Sequence, residues 1–461
     1  MNKNHLNDCS FDQIAYFYPC KGKVPNYGMG TVSMLISDHM RTESTHKFGY
    51  TKDAFDTFKI DQKLARQICT EPNSDNIYIR VNWNDVQRTA GRLDFSDRFK
   101  TAIEAVKTTG KRWSLRVMQS SEGDYPGNLL PEFLQDKLPQ ITIKSTPFDV
   151  VMPLYTDDYL KYWQEMLELL GQQFDADPCL EFADVSGFGL WGEGHHYFEY
   201  NGEHKNHIIA DSWQEYEQIV DRLIKDHKAA FPTTPMVLSL HLCDYEAGRK
   251  ALVDGAWVRR DSFKTYYKAS ESLYSKQRHK NAAMLFETDV PPLSVNSLKV
   301  AANQSTDVVS LAQLKLDQGT SYSSVGFNWV DYKWFADNMP QLFELYNNRL
   351  GFRLRPSVVW RCQYPDGKKS IVMDIANDGC ATPAGIITFK LNAGDESYVK
   401  VDGGDLGMAT HQIEIPLPDK ADWTTYKLTA EITLGGKTHP IRFATECDDG
   451  FAPFELTIKA N

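Results

Sequence analysis

Eight short runs rich in Val, Ile, Phe and Tyr recur between longer amphipathic stretches from the N-terminus to about residue 350. This alternation constrains the fold more than any other feature of the chain. The runs are GTVSMLI (30–36), NIYIRVNW (76–83), RWSLRVM (112–118), EFADVSGFGLW (181–191), PMVLSLHL (235–242), GAWVRRDSF (255–263), AAMLFET (282–288) and SSVGFNW (323–329). Short apolar strands spaced by helical segments read as strand–helix units around a parallel sheet. Eight of them predict an α/β fold, a (β/α)8 TIM barrel rather than an open sheet.

The intervening stretches carry helix signals. In TDDYLKYWQEMLELLGQQF, Asp157 or Asp158 is positioned to cap, and Leu160, Trp163, Leu167 and Leu170 recur at helical spacing to cover the barrel wall. DSWQEYEQIVDRLIKDHKAAFP repeats the plan, with Asp211 or Ser212 as cap and Pro232 beyond the end. DYKWFADNMPQLFELYNNRLG is expected to be the eighth helix, kinked or broken at Pro340.

After Gly351 the texture changes. SVVWRCQY, KKSIVMDIAND, AGIITFKLNAG, HQIEIPLP, YKLTAEITLGGKTHPIRFAT and FAPFELTIKAN alternate without helical period and are separated by turn residues. They predict an immunoglobulin-like β-sandwich over 351–461, behind a barrel over 1–350. The 461-residue length accommodates two domains of this size.

Composition removes several function classes. A net charge of −11 without any Lys/Arg-rich run argues against a nucleic-acid partner. No apolar run approaches the roughly 20 residues of a membrane span. MNKNHLNDCSFDQIAYFYPC lacks the charged start and apolar stretch of a secretory leader, so the expected location is cytoplasmic, or periplasmic or secreted after removal of a leader. The eight cysteines form no CxxC pair, and free thiols are expected, with one bridge in the last hundred residues left open. No cofactor is called for, and the oligomeric state stays open. Aromatic residues make up 12% of the chain, enough to line a sugar-binding cleft, although most are expected in the core.

A barrel of this kind carries its chemistry at the C-terminal ends of its strands. Strand two ends in Arg80, Asn82 and Trp83, strand three in Arg116 and Gln119, strand four in Trp191 and Glu193, and strand five in His241 and Asp244. Strand six supplies Arg259, Arg260 and Asp261, strand seven Glu287 and Asp289, and strand eight Asn328 and Trp329. Glu193 and Glu287 therefore face each other across the mouth. Cleavage of a glycosidic bond needs two such carboxyl groups, one to protonate the leaving oxygen and one to attack or to activate water. The alternative for each is a polar loop at the end of a buried strand. Trp191, His195 and His196 surround Glu193 with hydrogen-bond partners and a dry wall that would raise its proton affinity. The two histidines, with Glu199 and His204, match no zinc spacing, so no metal is expected. Trp83 and Trp329 are either platforms for sugar faces or core filler. Arg259 and Arg260 beside Asp261 either bind an anionic group on the substrate or form a structural ion pair.

IYIRVNWNDVQRTAGRLDFS resembles the second-strand signature of clan A glycoside hydrolases. The stretch from YTDDYLKYWQEM to GFGLWGEGHH is similar to the one leading to the catalytic acid in glycoside hydrolase family 42 β-galactosidases and in related bacterial barrels that end in a β-sandwich. The resemblance implies a retaining hydrolase of a β-linked glycan, galactoside-like or acidic, with Glu193 as acid/base, Glu287 as nucleophile and Arg80 keeping that nucleophile ionised. One departure stands out: the residue before the acid/base is Gly192, where these enzymes carry an Asn that contacts the sugar 2-hydroxyl. His195 or His196 is a candidate replacement. The departure also leaves open a non-catalytic glycan-binding protein on the same scaffold. A lyase or aldolase lacks a lysine at any strand end.

Overall fold

The computed structural model describes residues 9–36, 61–121, 127–144, 149–194, 198–200, 203–205, 212–260, 273–274, 276–287, 308–325, 329–402, 406–419, 421–446 and 452–461. Eight strands close into a barrel: Gly30–Ile36, Asn76–Asn82, Arg112–Met118, Leu180–Asp184, Met236–Ser239, Trp257–Arg260, Met284–Phe286 and Tyr322–Ser324. They are called the first to eighth barrel strands below. From the first to the seventh, each pairs with the next in parallel. The expected (β/α)8 barrel is present, and all eight apolar runs contribute a strand to it.

The side-chain alternation of the strands sorts the barrel into two layers. In the second strand Ile77, Ile79 and Val81 join the hydrophobic layer outside the barrel, and in the third Trp113, Leu115 and Val117 do the same. Tyr78, Arg80 and Asn82, with Ser114 and Arg116, take the alternate, inward positions, and all are buried. The helix Asp157–Phe174 covers the outside with Leu160, Trp163, Leu167 and Leu170, as its period predicts. Its cap is Thr156, whose hydroxyl accepts from the Tyr159 N–H, not Asp157 or Asp158, which instead stand in the first turn. Ser212 caps the helix Trp213–Ala230. The eighth helical stretch is broken as Pro340 requires, into Trp329–Asn338 and Pro340–Arg349, with the proline at the first position of the second piece.

The C-terminal β-sandwich consists of two antiparallel sheets. One has the order Ser10–Tyr16, Leu354–Gln363, Lys369–Asn377, Thr410–Leu417. The other runs Glu396–Asp402, Ile386–Ala393, Thr425–Leu434, Lys437–Pro440, with Glu455–Lys459 also on Thr425–Leu434. In TYKLTAEITL the buried positions alternate strictly, placing Tyr426, Leu428, Ala430, Ile432 and Leu434 in the core. Ser10–Tyr16 is an addition that the sequence does not announce, because it is exposed along most of its length and has no apolar face. The chain divides into two compact units, Met1–Gly30 with Ala312–Tyr322 and Phe343–Asn461, and Thr31–Leu311 with Ser323–Leu342. Among the described residues, Cys20, Cys69, Cys243, Cys362 and Cys380 are free thiols. Among the described residues, no helix is long and apolar enough to cross a membrane.

Candidate active site

The fourth barrel strand ends at Asp184, and the chain then turns back on itself through Ser186–Gly194 to present Glu193. This turn explains why a carboxylate stands among glycines. Gly187 and Gly192 adopt φ of 98° and 75°, and Trp191 is the non-glycine residue with positive φ, at 51°. A Cβ on Gly187 would lie 2.5 Å from the Trp163 ring, and one on Gly192 would lie 2.8 Å from the Ser186 Cβ. A side chain at 192, asparagine included, would meet Ser186 unless the turn shifts. Backbone bonds from Glu193 N–H to Leu190 O (2.9 Å) and from Gly194 N–H to Phe188 O (2.8 Å) lock the turn.

Buried side chains fix it from below. The Tyr155 hydroxyl accepts from the Gly189 N–H at 2.8 Å, the Tyr159 hydroxyl donates to Gly187 O at 2.6 Å, and the Gln119 amide donates to Gly189 O at 2.5 Å. His227 Nε2 accepts from the Ser186 N–H at 3.2 Å, while its Nδ1 lies 2.8 Å from Leu223 O and donates to it. Burial pushes the His227 imidazole down to about 4, which keeps the ring neutral and its Nε2 an acceptor at neutral pH.

The turn delivers Glu193 into a cluster inside the barrel. Its Oε1 accepts from Arg116 Nη1 of the third strand and lies 3.2 Å from Arg259 Nη1 of the sixth. The same Arg259 nitrogen lies 3.1 Å from Glu287 Oε1, just beyond the seventh strand. Arg259 Nε donates to Asp184 Oδ2 at 2.8 Å, and that oxygen also accepts from the Tyr78 hydroxyl and lies 3.8 Å from Arg116 Nη1. Glu193 and Glu287 are 2% and 3% exposed. Burial works against the charge of Arg259, but Glu287, Asp184, Tyr78 and Glu193 more than offset it, so its affinity for its proton is raised well above that of a free guanidinium. Burial likewise raises the Tyr78 phenol well above its ordinary value, with Arg116 and Arg259 working against it and Asp184 and Glu287 adding to it.

Two contacts of 3.2 and 3.1 Å laid end to end bound the separation of the Glu193 and Glu287 oxygens. That bound accommodates the roughly 5–5.5 Å between the two carboxyl groups of a double-displacement glycosidase.

The structure rearranges several expectations. Trp83 is not a sugar platform: it is fully buried, packs edge-on against Tyr159 and Trp163, and donates its indole N–H to Gln87 at 3.1 Å. Arg116, expected to meet substrate directly, holds Glu193. Arg80 is buried, with Nη2 3.7 Å from Met118 Sδ, and Asn82 is buried at the end of the second strand. Trp191 is half-buried, and His241 lies in a short 3-10 helix after the fifth strand. Arg260 alternates with Arg259 along the sixth strand, so the inward cation there is Arg259, and its carboxylate partners are Asp184, Glu193 and Glu287. Trp329 opens a helix rather than ending a strand. His195, His196, Asp261, Asp289 and Asn328 lie outside the described residues. Tyr78 and Asp184 escaped the sequence analysis, although alternation in NIYIRVN places Tyr78 on the same face as Arg80.

Fold and site together define a (β/α)8 barrel with a buried carboxylate–guanidinium cluster at the C-terminal ends of its strands. No family model matches the chain, and no curated protein does. Among solved structures it is similar to the catalytic domain of a β-amylase from Paenibacillus polymyxa, with 11% identity, a TM-score of 0.46, and coverage of 68% of this chain and 98% of that one. It is also similar to endo-glycoceramidase II from Rhodococcus sp., with 9% identity, a TM-score of 0.41 and coverage of 86% and 99%. A glycoside hydrolase family 5 enzyme from Prevotella bryantii B14 gives 13% identity, a TM-score of 0.41 and coverage of 71% and 99%.

Proposed function

We propose that the barrel is a retaining glycoside hydrolase that cleaves a β-linked glycan by double displacement, with Glu287 as nucleophile and Glu193 as the second carboxyl group. One observation supports this reading: a single buried guanidinium, Arg259, lies 3.2 Å from Glu193 Oε1 and 3.1 Å from Glu287 Oε1, a bound on their separation that accommodates such a mechanism. Arg259 keeps Glu287 in the charged form that a nucleophile needs, and Asp184 holds Arg259 in place through its Nε. Tyr78 and Arg116 complete a buried charged cluster of a kind that contributes little to stability over apolar side chains of equal volume. Its retention in the barrel supports a chemical role. The substrate is a carbohydrate, galactoside-like or acidic.

A non-catalytic glycan-binding protein is the second reading. Gly192 favours it, since glycine supplies no amide beside Glu193 from that position. The two readings separate in one experiment. A panel of 2,4-dinitrophenyl 2-deoxy-2-fluoro-β-glycosides is incubated with the protein and the intact mass is measured. The hydrolase accumulates a one-to-one covalent adduct that maps to the peptide containing Glu287 and is absent in Glu287→Gly. Saturable glycan binding without an adduct would establish the binder.

A further inference from the structure

This inference rests on the double-displacement reading and concerns the bond that is broken. In the first half of that reaction the leaving oxygen departs, and in the second a water attacks. A carboxyl group that assists departure must carry a proton. One that activates water must not. Glu193 accepts from Arg116 Nη1 and lies 3.2 Å from Arg259 Nη1, and both guanidiniums have side chains at most 2% exposed. Two cations at contact distance favour the carboxylate over the acid, and they do so against burial and against Asp184 and Glu287, which share the same two guanidiniums. The arrangement suits the second half-reaction and not the first.

Arg116 supplies an independent observation. Its Nη1 serves Glu193 and lies near Asp184, while Nε and Nη2 are buried without a hydrogen-bond partner among the described residues. Those two nitrogens form the side of a guanidinium that offers two parallel N–H donors, the geometry that receives both oxygens of an oxyanion. Burying such donors unpaired is costly, on the order of 1–3 kcal/mol for each group.

We infer that this barrel hydrolyses glycosides whose leaving group departs as a stabilised oxyanion without being protonated, with the 1-O-acyl sugars as the natural class, and that the Nε–Nη2 edge of Arg116 receives the departing carboxylate. The Glu287 carboxylate forms a bond to C1, and the electron pair of the C1–O bond passes to the leaving oxygen. Glu287 becomes a neutral ester as the acyl group becomes a carboxylate, so the site's net charge does not change. Water then bonds to C1, Glu193 takes its proton, and the electron pair of the ester bond returns to Glu287. Glu193 releases the proton to solvent.

The test is a leaving-group series on the whole protein: 1-O-benzoyl, 2,4-dinitrophenyl, phenyl and methyl β-glycosides of glucose and galactose. The expected result is turnover of the benzoyl and dinitrophenyl substrates, with the phenyl and methyl compounds more than about ten-thousand-fold slower in kcat/KM, the upper range of what an acid catalyst contributes. Glu193→Gln is expected to lower kcat with a pre-steady-state burst, and to leave the dinitrophenyl-to-phenyl ratio of kcat/KM within about threefold. Phenyl glycosides within about a hundredfold of dinitrophenyl ones, or a ratio widened by about a hundredfold or more in Glu193→Gln, would make Glu193 the acid and overturn the inference. In oxygen-18 water the released benzoate is expected to stay unlabelled; label in it means acyl–oxygen cleavage and also overturns the inference. If Glu193→Gln does not fold, the wild-type series alone decides. Absence of turnover and of any adduct across the panel removes the double-displacement reading itself, a result distinct from every other.

Discussion

The interior of the barrel and the core of the C-terminal sandwich solve opposite problems. The sandwich core is filled by Ile371, Met373, Ile375, Phe389, Leu391, Leu428 and Ile432, all buried, and the strands Thr425–Leu434 and Glu455–Lys459 alternate between buried core positions and more exposed ones. Such a core stabilises by area removed from water, and it tolerates any sequence of similar volume. The barrel interior instead holds Tyr78, Arg116, Asp184, Glu193, Arg259 and Glu287, each at 3% exposure or less. Charges taken out of water gain little or nothing in stability over apolar side chains of the same size. The difference teaches that the sandwich follows from stability alone, whereas the barrel's interior needs a chemical reason.

The comparison breaks most visibly when one member of each region is removed. Arg259→Met leaves Asp184, Glu193 and Glu287 without the cation they share, a loss of about 3–5 kcal/mol. Activity is lost with it. The carboxylates of this variant bind protons more tightly folded than unfolded, so its deficit relative to wild type shrinks as pH falls from 8 to 5. Leu428→Ala in the sandwich costs about 2–5 kcal/mol by leaving a cavity, with no dependence on pH. Urea unfolding of both variants at several pH values checks the contrast. Equal pH dependence would mean that the buried charges of the barrel are not coupled.

A smaller effect comes from His227, under the turn that carries Glu193. Its ring takes a proton near 6.5 when unfolded but only at about 4 when buried. Between these values the unfolded chain binds more protons, so the stability held at neutral pH is lost as pH falls from 6.5 towards 4, by roughly 3 kcal/mol in all. His227→Gln is expected to flatten that slope relative to wild type in urea titrations at pH 7.5 and 4.5. A slope unchanged by the substitution would place the acid sensitivity elsewhere.

The smallest effect is at Gly192. Gly192→Ala forces a side chain onto a φ of 75° and against Ser186, at a cost of about 1–2 kcal/mol for the backbone conformation alone. Its larger consequence is expected in turnover, because the turn then shifts Glu193. A thermal melt and a rate measurement on the same preparation separate the two, and a variant with unchanged rate would show that the turn's geometry is not what positions the carboxylate.

Much of this was legible in the sequence, unevenly and for physical reasons. The eight barrel strands are short apolar runs bounded by turn residues, and the sandwich strands from SVVWRCQY to FELTIKAN alternate with a period of two. Glu396–Asp402 and Ser10–Tyr16 escaped because both are largely exposed and bury no apolar face. In the candidate site, position along the strand singled out Glu193 and Glu287, since the C-terminal ends of barrel strands are where side chains reach the mouth, and the fold brings an oxygen of each to Arg259. Position alone did not separate Arg259 from Arg260, which required knowing which face of WVRR looks inward. Trp83 misled because strand-end position alone was read: its parity is that of Ile77, Ile79 and Val81, and it joins them in the outer core. Asp184 looked like an ordinary strand residue, and only the fold brings it beside Tyr78 and Arg259.

The central claim is that Glu287 attacks the sugar and Glu193 activates the water that releases it. Proton NMR of the first anomer formed from a hydrolysed β-glycoside tests it most directly, since two successive inversions at C1 restore the starting configuration. The account predicts the β-anomer first, followed by slow mutarotation. The α-anomer first would contradict it, turning Glu287 from nucleophile into base.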